Sequence, residues 1–250
     1  MARASSSASL VETYPAEARR PLHVLLFVLP MVVVYEASLL ILLPRHPDVL
    51  PNLAHEGVLR FFSTFGVGGW FLPGIVLVAV LVAWQVLSRE PWRPRWAVPW
   101  IMALESLVLA MPLLVLGQIV QRTLPLVAAP VEERIVALDL WGRLVISLGA
   151  GLYEEFIFRM LLIAVIHTLL VDVLRLGHAF GAAVAVVVSA AIFAWCHPLA
   201  GPDGLLSMQR LAFFLLAGLY FGALFVMRGF GIAVGAHVAY DGMVSIWLIR

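Results

Sequence analysis

The feature that most constrains this chain is a succession of uninterrupted apolar runs, each long enough to cross a hydrocarbon core about 30 Å thick, which takes roughly 20 helical residues. They fall at about 22–43, 70–88, 99–121, 143–170, 180–197, 207–227 and 231–249. Inside lipid no water can satisfy the backbone, so a spanning segment must bond internally as a helix or close into a barrel. Barrel strands alternate in polarity, whereas these runs are continuously apolar. The fold class is therefore all-α, a polytopic transmembrane helix bundle of about seven spans (seven or eight). Composition agrees, because 63% of residues are hydrophobic and only 12% charged, against about 25% charged in a soluble domain.

Residues 1–20 are polar and Ser-rich and read as a disordered N-terminal tail. Residues 21–250 form a single membrane-embedded helical domain. The Pro-rich segments 44–51 and 89–99 mark connections, and 52–65 fits a short amphipathic helix lying along the interface. Arg19 and Arg20 favour a cytoplasmic N-terminus by the positive-inside rule, which implies a multi-pass protein of the cell membrane. The first span is too long for a signal-peptide core and is read as retained. A net charge of +1 gives no field to recruit nucleic acid. Oligomeric state is not legible. The one cysteine, Cys196, excludes an internal disulfide and reads as a small buried thiol.

An acidic or basic residue at the centre of a spanning helix costs roughly 2.5–3.5 kcal/mol, so each one in a span needs a reason. Glu36, Glu105, Glu154, Glu155, Arg159 and Asp241 all fall in the expected spans, with His167, His197 and His237 beside them. Glu155 and Arg159 are four positions apart and share a helix face as an ion pair, while Glu154 points about 100° away. His237 and Asp241 repeat the four-residue spacing on the last span, as do Phe193 and His197 two spans earlier. Three helices can thus aim polar groups into one cavity. His167 has no acidic neighbour and reads as a satisfied core histidine. Glu36 and Glu105 stand alone, and a bond to a neighbouring helix accounts for each. For Arg228 the sequence offers no partner.

Taken in order, Glu154-Glu155-x-x-x-Arg159, Phe193-x-x-x-His197 and His237-x-x-x-Asp241 resemble the three signature motifs of the CPBP (CAAX protease/Abi) family, which includes the type II CAAX prenyl endopeptidases. The resemblance covers about 143–245. It implies an intramembrane endopeptidase in which Glu154 activates a water with His197, Glu155 and Arg159 shape the site, and His237 and Asp241 sit where the oxyanion is stabilised. The third motif ends in Asn in the prenyl-protein endopeptidases and in Asp here, which fits the broad family better than that branch. The implied substrate is a peptide or membrane protein met among membrane lipids. No cofactor is expected, although Glu154, His197 and His237 would also suit zinc, a lesser alternative because no H-E-x-x-H pair is present. Two other functions remain open: a non-enzymatic membrane scaffold or immunity protein, and a transporter that uses the buried acids as a relay.

Overall fold

The computed structural model describes residues 10–45, 53–64, 66, 68–123, 138–201 and 204–247. Nine helices follow in order among them: α1 (Leu10–Glu17), α2 (Pro21–Arg45), α3 (Leu53–Ser63), α4 (Leu72–Ser88), α5 (Ala97–Thr123), α6 (Leu140–Val173), α7 (His178–Trp195), α8 (Met208–Arg228) and α9 (Phe230–Trp247). The helices α2, α5, α6, α7 and α8 are long and apolar enough to cross a membrane, and α4 and α9 are shorter apolar helices. These seven correspond to the seven runs of the sequence, and the protein is an integral, multi-pass membrane protein.

Each helix sorts its residues by what its two faces meet. On α5, Trp100, Leu104, Val108 and Val115 are exposed at intervals of one or two turns, while Met102, Ser106, Ala110 and Leu113 on the other face are almost wholly enclosed. The outer face is the more apolar and the inner one carries the small and polar groups, as expected where the solvent is lipid. Exposed Trp92 and Trp96 at one end, and Trp70, Trp141 and Trp195 toward the other, form the aromatic belts typical of the two interfaces.

The last helix is central. Phe230, Ile232, Ala233, Val234 and Ala236 in the first two turns of α9 are at most 1% exposed. This helix therefore starts within the protein body, which lets His237, only two turns along, reach the bundle centre. At Gly151 of α6 the backbones meet closely, since a Cβ there would come within 2.8 Å of the Val238 nitrogen. Only glycine fits this crossing of α6 and α9.

The segment expected to be a tail is helical over Leu10–Glu17, and tertiary contacts explain why. The Tyr14 hydroxyl donates to Glu105 Oε2 of α5 at 2.5 Å, and Arg228 at the end of α8 meets the same carboxylate through Nε at 2.5 Å and Nη2 at 2.8 Å. Burial, reinforced by the Glu105 carboxylate, raises the Tyr14 hydroxyl above its ordinary range. Both Glu105 and Arg228 thus have their reason at one stroke. Nearby, Arg20 bridges Glu17 and Glu90 at 2.9 and 2.7 Å, and His23 Nε2 accepts from the Arg95 backbone at 3.0 Å. At the opposite end, α3 lies beside α4 and α6 as the expected short amphipathic helix, with His55 turned wholly inward.

Candidate active site

The site is built around a change of helical type in α6. Asp139 caps its start, accepting from the Gly142 backbone at 2.8 Å. The helix is α over Leu140–Glu154 and becomes π-helical over Glu155–Ile163. A π turn frees or redirects backbone carbonyls, and such turns are frequent at functional sites. Here the Ser189 hydroxyl of α7 donates to the Phe158 carbonyl at 2.6 Å, stitching the widened turn to its neighbour.

Glu155 and Arg159 are fully buried and paired, with Arg159 Nε 3.3 Å from Glu155 Oε2. The guanidinium lies 4.2 Å from the centre of the Phe193 ring and 5.5 Å from that of Phe221, and Nη2 donates to the Gly218 carbonyl at 3.5 Å. An arginine between aromatic faces retains electrostatic partners while giving up water. On its other oxygen Glu155 takes a hydrogen bond from His237 Nδ1 at 2.7 Å. One carboxylate thereby fixes both a cation and an imidazole.

His197 follows the end of α7, in a turn closed by its own N–H on the Ala194 carbonyl at 3.1 Å. Pro198, which cannot continue a helix, comes next. His197 Nδ1 lies 2.7 Å from the Phe193 carbonyl. A carbonyl only accepts, so Nδ1 donates and Nε2 is left to face Glu154. The ring stacks on Phe214 at 4.3 Å, and that of His237 stacks on Phe221 at 4.4 Å. Each imidazole is thus held by one Nδ1 bond and one aromatic face.

Glu154 Oε2 lies 3.5 Å from His197 Nε2 and 3.9 Å from His237 Nε2. Asp241, a turn beyond His237, brings Oδ2 to 3.5 Å from the same nitrogen. The structure therefore unites all six candidates: Glu154, Glu155, Arg159, His197, His237 and Asp241. Glu154, Glu155, Arg159 and His237 are buried, and His197 and Asp241 are partly open, with side chains 17% and 27% exposed. Three acids thus face one guanidinium and two imidazoles in one largely buried cluster.

The arrangement can hold a polar molecule beside an acid and a lone-pair nitrogen, with an imidazole and a second carboxyl alongside. As to zinc, no group of three or more His, Cys, Asp or Glu side chains among the described residues is arranged to hold a metal ion.

Other candidates lie elsewhere. His167 is partly exposed, 5.5 Å from the His178 ring, and not a core histidine. Cys196 is exposed, contrary to the buried thiol expected, because it follows the last residue of α7 at the edge of the bundle. Phe214 and Phe221, which seat the two histidines, went unnoticed because aromatic residues on an apolar span carry no distinguishing signal.

The model of the family described as type II CAAX prenyl endopeptidase Rce1-like matches residues 136–243. No curated protein and no solved structure is matched by the chain. The matched stretch is less than half of the chain, yet it holds all six residues of the cluster and both imidazole-bearing elements. Over residues 136–243 the chain is similar to the type II CAAX prenyl endopeptidases of the CPBP/CAAX protease family.

Proposed function

We propose that the protein is an intramembrane endopeptidase that hydrolyses a peptide bond with a water activated by Glu154, without a metal. The observation that carries this reading is the approach of Glu154 Oε2 to His197 Nε2 at 3.5 Å. A water seated beside the two atoms, within hydrogen-bond reach of both, donates its two protons to them and leaves its lone pairs to face a substrate carbonyl. Attack forms the C–O bond while Glu154 takes a proton; that proton then passes to the leaving nitrogen as the C–N bond breaks. General-base assistance of this kind contributes about 10²–10⁴ in rate.

The developing oxyanion needs a donor, and an ionised Asp has none to offer. His237 takes that role when protonated. Its Nδ1 is engaged by Glu155, so Nε2–H is the end that faces the cavity, shared with Asp241 at 3.5 Å, which balances its charge until the oxyanion forms. Removing a donor of this kind typically costs about 10²–10³ in rate. Asp241 in place of Asn points away from strict prenyl-protein specificity and toward a peptide or membrane-protein substrate. The protein sits in the cell membrane with its N-terminus on the cytoplasmic side.

The test is cleavage of quenched-fluorescent peptides with a C-terminal CAAX sequence, farnesylated and unfarnesylated, by the purified full chain in detergent. Glu154→Gln preserves shape and loses the base, so cleavage should fall at least about 10²-fold with the unfolding midpoint unchanged. A fully active, folded Glu154→Gln protein overturns the proposal.

A further inference from the structure

A second buried polar cluster lies on the other side of α6, and the mechanism above does not use it. Tyr153, Glu154 and Glu155 are consecutive, and residues in a helix diverge by about 100° per step. Tyr153 is therefore turned to a different neighbour from the two acids. Glu154 meets His197 and His237, Glu155 meets Arg159 and His237, and the Tyr153 hydroxyl donates to Glu36 Oε1 of α2 at 2.5 Å.

The Glu36 carboxyl is held from behind, since a Cβ on Gly74 of α4 would come within 2.6 Å of its Oε1. Beside it on α2, the ring of Tyr35 lies against Gly149, one turn ahead of Tyr153, so closely that a Cβ there would overlap it. The Tyr153 ring is also set edge-on to Tyr35 at 5.4 Å and to His55 of α3 at 5.0 Å. Helix α2 thus grips α6 at two points one turn apart, immediately before the α-to-π transition.

We propose that Glu36 and Tyr153 are positioning residues for Glu154: their hydroxyl–carboxyl bond fixes the rotation of α6 at the residue preceding the base. This rests on the endopeptidase reading of the site. The lever is short, because a side chain ends about 5–6 Å from its helix axis, so a rotation of about 20° displaces the carboxylate by about 2 Å. A misplacement of about 1 Å costs on the order of 10²-fold in rate. Packing alone would be better served by an apolar residue, because a carboxyl in a span is costly. Glu36 Oε2 also has no hydrogen-bond partner among the described residues, so this group is kept at a cost that fixing an angle explains.

The experiment compares Tyr153→Phe, Glu36→Leu and Glu36→Gln in the full chain, with folding monitored by thermal unfolding. Two readouts are taken: cleavage of the farnesylated and unfarnesylated CAAX peptides, and the ¹⁵N signal of His197 with and without Glu154→Gln. Tyr153→Phe and Glu36→Leu should lower kcat roughly 10- to 100-fold with little change in KM, and should abolish the response of the His197 signal to Glu154→Gln. Glu36→Gln keeps an acceptor for the tyrosine and should retain both properties. Should Glu36→Leu fail to fold, Tyr153→Phe against Glu36→Gln decides. A folded Tyr153→Phe protein with normal kcat, or with the His197 response intact, overturns the proposal. If the wild type cleaves neither peptide, the endopeptidase reading falls for those peptides, while loss of the His197 response in Tyr153→Phe still supports the positioning role.

Discussion

Replacing Arg159 by Met tests how the buried charges are held. The guanidinium is wholly enclosed and 3.3 Å from Glu155, it faces the Phe193 ring at 4.2 Å, and it donates to the Gly218 carbonyl. Met fills similar volume but leaves Glu155 with His237 as its remaining partner among these groups. Removing one member of a buried ion pair costs about 3–5 kcal/mol, because the survivor stays desolvated. The lost cation–π contact accounts for about 2 kcal/mol within that figure. Adding Glu155→Gln removes the stranded charge while keeping an acceptor for His237, so the double variant should recover about 2 kcal/mol or more relative to Arg159→Met alone. The measurement is a double-mutant cycle by equilibrium unfolding in mixed micelles. If Arg159→Met costs less than about 1 kcal/mol, or the two substitutions simply add, the pair does not hold the site in the way described.

Other consequences can be measured in the same preparation. Burial pushes the His55 imidazole down to about 4, from about 6.5 in an unfolded chain. The unfolded state then binds the extra proton first, so stability should decline as pH falls from 6.5 toward 4, on the order of 1 kcal/mol per pH unit; His55→Phe should flatten that slope, and an unchanged slope would rule the histidine out. Tyr14→Phe removes the hydroxyl that ties α1 to Glu105; it should cost about 1 kcal/mol and speed limited proteolysis near residues 10–20, and equal proteolysis rates would show that α1 is held otherwise.

The sequence made the bundle legible because lipid demands long apolar helices, and each of the seven apolar runs is a helix here. The candidate cluster was legible because its acids and histidines are costly at such depth and three pairs, Glu155/Arg159, Phe193/His197 and His237/Asp241, repeat a four-residue spacing. The Glu36–Tyr153 bond was not, since 117 positions separate its partners and a tyrosine in a span looks like any other aromatic. The helix at Leu10–Glu17 was hidden for a related reason: its residues carry no strong periodic signal, and docking of Tyr14 on Glu105 and Arg228 stabilises it. Nor does any residue pattern announce the π-helical turn after Glu154, where a hydroxyl from another helix meets the Phe158 carbonyl.

Helix α4 has only 17 residues, an apolar rod about 26 Å long where the surrounding hydrocarbon is about 30 Å deep. Its ends are bounded by α3 on one side and the Trp92–Trp96 connection on the other, so it has little chain to spare for extending. The adjacent lipid leaflets must pinch inward by a few ångströms at this flank. Acyl-chain length thus becomes a control on the protein: bilayers of shorter lipids relieve the mismatch beside Gly74 and Glu36, and thicker, sterol-like ones aggravate it.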